Sequence, residues 1–237
     1  MKQMKITGYL KYTLIALAFL SCMQSANAGD AAKLSPNRAW SEDFAKSGKD
    51  GMPLKWKEEG SKIGVPETKC QLVKNSDGTT ALQLKCDKST GGIIIAPKVN
   101  LNKTPIMRWR WRILNYPQGA DGRNPKKDDQ PIGIYLGMDD GFLKKKSLAY
   151  RWEDLTPKGF EGTVTYAKIL TVHYITMQDN RAKAGEWITE TRNVAEDFKR
   201  VYGKIPKKFA VSVIGNSQYT RSNTVAELDF IEFLPAK

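Results

Sequence analysis

Past about residue 29 the chain is a succession of short runs in which apolar and polar residues alternate one by one, with turn-forming residues between them. A period of two is the signature of a half-buried strand, whereas a helix repeats every 3.6 residues. The runs lie at 38–44, 69–74, 81–86, 91–96, 106–114, 131–138, 147–152, 163–169, 171–177, 186–192, 208–214 and 225–233. No 10–15-residue helices alternate with them, which argues against a parallel α/β sheet and predicts an all-β, antiparallel β-sandwich. An early "WSEDF" strand meeting a final "ELDFIEF" strand makes it a jelly roll. One short helix is expected in "NVAEDFKRVYG". Asn193 stands at its N-cap, Glu196 sits three residues on, Val194, Phe198 and Val201 share a face, and Gly203 stops it before Pro206.

The N-terminus carries Lys2, Lys5 and Lys11, then the apolar run "YTLIALAFLSC", then Ala26-Asn27-Ala28. This is the layout of a signal peptide over 1–28, cleaved after Ala28, and it predicts a periplasmic or secreted protein. Lipidation at Cys22 is the alternative, disfavoured because Phe19 stands where a small aliphatic residue is usual. Residues 29–237 form one domain, and no other apolar run approaches the roughly 20 residues of a membrane span. The leader holds three lysines and no acids, so its loss lowers the formal charge from +13 to +10. Such a basic chain suits nucleic acid, but export removes that partner and leaves anionic polysaccharide, lipid headgroups or an acidic surface. Lysines that only maintain solubility are the competing account.

Cys70 and Cys86 flank "QLVKNSDGTTALQLK", which reads as a hairpin. A loop over 76–80 sets Cys70 directly against Cys86, and in an oxidising compartment such a pair forms a disulfide contributing on the order of 3 kcal/mol.

Several chemistries are disfavoured. With a single histidine, His173, and both cysteines assigned to a disulfide, no zinc set can be assembled, and no metal or cofactor is expected. The nucleophile elbow, the phosphate loop and the dinucleotide fingerprint do not occur. In "RWRWRI", alternation turns Trp109 and Trp111 into the core and Arg108, Arg110 and Arg112 outward. In "PIGIYLGM", Tyr135 faces out between Gly133 and Gly137, leaving a bare sheet surface. In "LAYRW", Tyr150 and Trp152 share one face and Arg151 takes the other. The arginine row is either paired with Glu190, Glu227 or Asp229, or lines a ligand groove. The loop "NYPQGADGRNPKKDD" is long for a hairpin; its Asp121, Asp128 and Asp129 match no calcium-loop spacing, and Lys126 and Lys127 neighbour them. His173 reads as a core histidine first and a catalytic base second.

Taken together, "RWRWRI", "KKDD", "IGIYLGM", "LAYRW" and "GEWITETRNVAEDFKRVYGKIP" resemble a family of exported bacterial proteins, the domain of unknown function number three thousand and forty-seven. The resemblance runs roughly from Trp40 to Phe233 and carries Trp109, Trp111, Asp128, Asp129, Tyr150, Trp152, Trp187, Arg192, Asn193 and Asp197. It implies a sandwich similar to carbohydrate-binding modules. The chain departs from the family's acidic D-x-D-N stretch, where it has Asn216, Ser217 and Gln218.

The expected function is a non-catalytic glycan-binding module for an anionic or neutral glycan. Its expected ligand contacts are Arg110, Arg112, Asp128, Asp129, Tyr135, Tyr150, Trp152, Trp187 and Arg192, with the arginine strand and the "PIGIYLGM" strand as antiparallel neighbours and the aspartate loop at their mouth. The alternative is a polysaccharide lyase or glycoside hydrolase acting on anionic polysaccharide, with His173 and Tyr150 as its catalytic candidates.

Overall fold

A computed structural model describes residues 34–49, 51–60, 64–139, 145–166 and 168–236. The expected leader, its cleavage site after Ala28 and Cys22 lie outside them. The elements run β1 (Trp40–Glu42), β2 (Lys57–Glu59), β3 (Lys69–Lys74), β4 (Thr80–Asp87), β5 (Thr90–Ile95), β6 (Ile106–Asn115), β7 (Gln130–Asp139), β8 (Lys145–Trp152), β9 (Glu161–Tyr166), β10 (Leu170–Gln178), β11 (Ile188–Asn193), α1 (Val194–Tyr202), β12 (Ala210–Asn216) and β13 (Asn223–Leu234).

Two sheets face each other. One has the order β11-β6-β13-β4-β3, with β1 also paired to β13, and the other runs β2-β5-β12-β7-β8-β10-β9. Every neighbouring pair is antiparallel except β8 with β10. The early strand does close on the last one, Trp40 opposite Phe233. This is the jelly-roll sandwich that the alternation predicts.

The core is aromatic at its centre. Trp109 and Trp111 meet edge to face at 5.4 Å, Trp109 stacks on Tyr150 at 5.3 Å, and Trp111 packs on Trp152 at 5.6 Å. All four are fully buried, so β6 and β8 interlock across the sandwich through their inward residues. Tyr150 and Trp152 are therefore core residues, a correction to the expectation that they contact a ligand. A tryptophan ring recovers several kcal/mol on burial, and alternation leaves it no other face.

Two further expectations are corrected. First, β6 and β7 are not neighbours but belong to different sheets, because residues 116–129 cross from one sheet to the other. Both arrangements satisfy the same alternation, and strands consecutive in sequence pair only about two-thirds of the time. Second, Cys70 lies opposite Leu84, not Cys86, and both cysteines are free thiols. The turn closes at 75–79, where Asn75 N–H donates to Thr79 O at 2.9 Å and Asp77 accepts from the Thr79 amide and hydroxyl at 2.9 and 2.6 Å. That Asx-type closure shifts the register by two residues, which keeps each side chain on its face but parts the sulfurs. Cys86 instead has its sulfur 3.4 Å from the Thr68 hydroxyl, and burial pushes the Cys70 thiol up to about 12.

Helix α1 covers the end of the sandwich. The Asn193 side-chain Oδ1 accepts from Glu196 N–H at 3.2 Å, and Gly203 ends the helix in the left-handed region at φ 72°. Asn193→Ala should cost about 1 kcal/mol in urea unfolding with an unchanged m-value, whereas a silent substitution would mean that packing of Phe198 alone holds the helix.

Candidate functional site

The arginine row lies on the outer face of the six-stranded sheet, and its charges are matched. Arg108 pairs with Glu232, Arg110 with Asp229 at 3.1 Å and Arg112 with Glu227 at 2.5 Å. A bulge in β13 between Leu228 and Phe230 supplies this match, letting Asp229 reach Arg110 while Phe230 lies 5.1 Å beneath Arg108. Trp187, just before β11, roofs Arg110 and Arg112 at 5.1 and 4.4 Å. Burial raises the Asp229 carboxyl above its usual range, opposed by Arg110. Of the acids expected to pair with this row, Glu227 and Asp229 do so; Glu190 accepts from Gln178 at 2.6 Å instead. The ladder ties β6 to β13.

Arg192 grips Asp197 of α1 with two hydrogen bonds, at 2.9 and 2.6 Å, and the Tyr150 hydroxyl donates to the same carboxylate at 2.7 Å. His173 sits at the rim, its ring nitrogens 3.0 Å from the Thr163 hydroxyl and 3.0 Å from Glu161. The two groups named as candidate catalysts thus face different partners and are not brought together.

The other outer face, on the seven-stranded sheet, holds a buried charge network. Arg151 is fully buried there. Its Nη2 donates to Asp128 Oδ1 at 2.6 Å and to Gln130 Oε1 at 2.7 Å, and its Nε lies 2.8 Å from Glu153 Oε1, close enough to pair though not aligned as a hydrogen bond. The guanidinium rests 4.4 Å from the Tyr174 ring centre. Tyr166 donates to Asp128 Oδ2 at 2.6 Å, Gln130 donates to the Tyr135 oxygen at 2.6 Å, and Thr156 donates to Glu153 Oε2 at 3.2 Å.

Local sequence makes this packing possible. Gly133 lies opposite Arg151 and Gly162 opposite Tyr174. A Cβ at Gly133 would meet the Tyr135 ring at 2.7 Å, and one at Gly162 would meet the Tyr174 ring at 2.6 Å, so each ring lies flat over a bare backbone position. Sequence reasoning identified Tyr135 and Asp128 but missed Gln130, Glu153, Tyr166 and Tyr174. The available signal was a strand arginine facing away from a tryptophan core, with glycines in strands on either side.

Electrostatics follow from the burial. Burial raises the Glu153 carboxyl to about 7, with Arg151 pulling the other way and Asp128 adding to the rise. Burial likewise pushes Tyr174 up to about 12 and lifts Tyr135 and Tyr166, so all three stay phenols. Desolvation works against the Arg151 charge, but Glu153 and Asp128 outweigh it and hold the guanidinium protonated.

The paired aspartates divide their roles. Asp128 belongs to the network, whereas Asp129 accepts from the Tyr219 and Thr220 amides at 3.1 and 2.6 Å and from the Thr220 hydroxyl at 2.7 Å, anchoring the β12–β13 turn. Asn216, in the stretch where relatives are expected to be acidic, donates to the Asp128 carbonyl at 3.0 Å.

Beside the network, on the same face, lies an open cleft of about 360 Å³. Its floor is formed by the cross-strand row Ser147–Gly137–Ala210 and the pair Tyr135–Ser212. Tyr135 joins the two regions, bordering the cleft with its ring and the network with its oxygen. Among the described residues, no group of three or more His, Cys, Asp or Glu converges to hold a metal ion, and no helix is long and apolar enough to cross a membrane.

Residues 54–232 match the family described as protein of unknown function (DUF3047), and the chain belongs to that family. A comparison with curated proteins found no match. Among solved structures, the chain is similar to the xyloglucanase domain of NopAA, a type three effector from Sinorhizobium fredii, at 8% identity and a TM-score of 0.43 over 86% of this chain and 100% of that one. It is also similar to endoglucanase 3 of family GH12 from Trichoderma harzianum, at 10% identity and 0.40 over 86% and 100%. A third is the mannan-recognising carbohydrate-binding module TmCBM27, at 14% identity and 0.35 over 84% and 98%.

Proposed function

We propose that this protein is an exported glycan-binding module, working in the periplasm or outside the cell, that holds a saccharide on the outer face of its seven-stranded sheet. The observation that carries the reading is the bare floor of the cleft. Gly137 has nothing within 4 Å of where a Cβ would stand, and its cross-strand neighbours are Ser147 and Ala210. A floor of small residues at Gly137, Ser147 and Ala210, bordered by Tyr135 and walled by Leu170, Phe209 and Ile214 as well as by lysines, accepts a flat ligand made of hydroxyls and C–H surface. Preformed strands hold that surface still, so little ordering entropy is lost on binding. The leader-like layout of 1–28 supports export.

Binding without catalysis is the better-supported form. The two carboxylates of the network are 3% and 0% exposed and engaged by Arg151, Tyr166 and Thr156. The one tyrosine on the cleft floor has its proton held more tightly than usual by burial, which makes it a poor base at neutral pH.

Gly137→Trp fills the floor without touching the core. It should abolish saccharide binding in calorimetry while moving the melting temperature by no more than ~2 °C. Unchanged affinity in this variant would move the site elsewhere, and silence of the parent protein across neutral and acidic oligosaccharides would remove the reading.

A further inference from the structure

We infer that the saccharide held in this cleft is an acidic polymer, carboxylated or sulfated, whose chain continues out of the cleft along a basic track; the inference rests on the glycan-binding reading. Lys145, Lys146 and Lys208 stand around the cleft against a single acid, Glu59. The cleft does not end at Lys208. A second depression of about 410 Å³ shares Ala96, Lys208 and Phe209 with it and adds Lys98, Asn100 and Lys207, with no acidic residue in its lining. Lys98, Lys207 and Lys208 are exposed, and none of the three has an ion-pair partner among the described residues. On the opposite outer face, by contrast, each of the three arginines is matched to a carboxylate. The arginines of one face are each matched to a carboxylate while Lys98, Lys207 and Lys208 have no such match among the described residues, and a strip holding these three suits a partner that brings its own negative charge.

The cleft floor supplies a second, independent pointer. The Ser147 hydroxyl is buried, belongs to the floor row opposite Gly137, and has no hydrogen-bond partner among the described residues. A buried hydroxyl without a partner is costly unless something in the cleft completes it. A sugar hydroxyl or a carboxylate oxygen does so, and an apolar ligand does not. Two joined depressions also suit a chain of several residues better than a single ion, since a free anion would engage one lysine cluster and leave the floor unused. Lysines act as point charges on flexible stems, so the track would read charge density along a polymer and not one fixed geometry.

The test is calorimetric titration of the purified protein with acidic hexasaccharides (galacturonate, alginate and a sulfated glycosaminoglycan fragment) and with neutral cello- and manno-hexaose, at low and high salt. Acidic chains should bind at least about tenfold more tightly than neutral ones and weaken as salt is raised. The Lys98→Ala, Lys207→Ala double variant, in which two exposed side chains outside the cleft are trimmed, should lose about fivefold for acidic chains and leave any neutral binding unchanged. Gly137→Trp should remove both. If neutral chains bind as well as acidic ones and the double variant is indifferent, the acidic class is wrong while the glycan site stands. If no saccharide binds but single-stranded nucleic acid or anionic vesicles do, through the same lysines, both the saccharide class and the glycan reading fall.

Discussion

Arg151→Leu will destabilise the protein by roughly 3–5 kcal/mol, the cost of breaking a buried ion pair by removing one partner. The guanidinium is fully buried, with Asp128 at 2.6 Å and Glu153 at 2.8 Å. Without it, two carboxylates 3% and 0% exposed remain with no counter-charge, and burial of an unpaired charge is far costlier than the net worth of the pair. Gln130 loses its donor, and Tyr174 loses the cation resting 4.4 Å from its ring. Urea unfolding measures the loss directly. Adding Asp128→Asn and Glu153→Gln to Arg151→Leu should return a large part of it, because the orphaned charges are then gone. A loss below ~1 kcal/mol for the single variant, or no recovery in the triple, would mean that water reaches the network and that the cluster contributes little.

The second large effect is on pH dependence and comes from Glu153. Its carboxyl is raised from 4.5 to about 7, first by burial and then by Asp128, against the pull of Arg151. The folded protein therefore holds this proton more tightly than the unfolded chain does. The stability it contributes is complete below about 4.5 and is lost as the pH climbs through about 7. The difference amounts to roughly 3 kcal/mol across that window. The groups facing it are Arg151, Asp128, Asp121 and Thr156. Glu153→Gln should flatten most of the decline in unfolding free energy between pH 5 and 7.5. A residual slope of the same sign is expected, since burial also raises Glu42, Glu190 and Asp229. A parent protein that grows more stable from pH 5 to 7.5 would show Glu153 to be ionised throughout.

These two effects sit where the sequence was hardest to read. Alternation along 106–114, 131–138 and 147–152 was enough to turn Trp109 and Trp111 inward and Arg110 and Tyr135 outward and to set Tyr150 and Trp152 on the face opposite Arg151, but only the structure showed that Tyr150 and Trp152 take the core side and Arg151 the other. It was also enough to expect the sandwich and the capped helix at Asn193. Those features are local: a period of two assigns a face, and a side chain three residues into a helix either reaches the cap or does not. The acids opposite the arginine row were legible as candidates for the same reason, although only the structure decided that the β13 bulge brings Asp229 to Arg110 while the β11 register sets Glu190 opposite Trp109 and beside Gln178.

Face is not partnership, and partnership is what only the tertiary structure decided. A strand that alternates is equally content beside any strand with a complementary face, so β6 and β7, adjacent in sequence, ended in opposite sheets, and the groove expected between Arg110, Arg112 and Tyr135 has its parts on opposite sides of the molecule. The turn at 75–79 moved the hairpin register by two residues through hydrogen bonds to one aspartate, which alternation cannot sense and which separates Cys70 from Cys86. The Arg151 network gathers Asp128 and Gln130 from the start of β7, Glu153 from beyond β8 and Tyr166 and Tyr174 from two later strands. A buried charge must find its partners wherever packing brings them, because leaving it alone costs more than any local preference can offset. The sequence by itself therefore determined which residues face the core and where the chain turns, and the long-range pairing of sheets and charges determined which of the outward residues share a site.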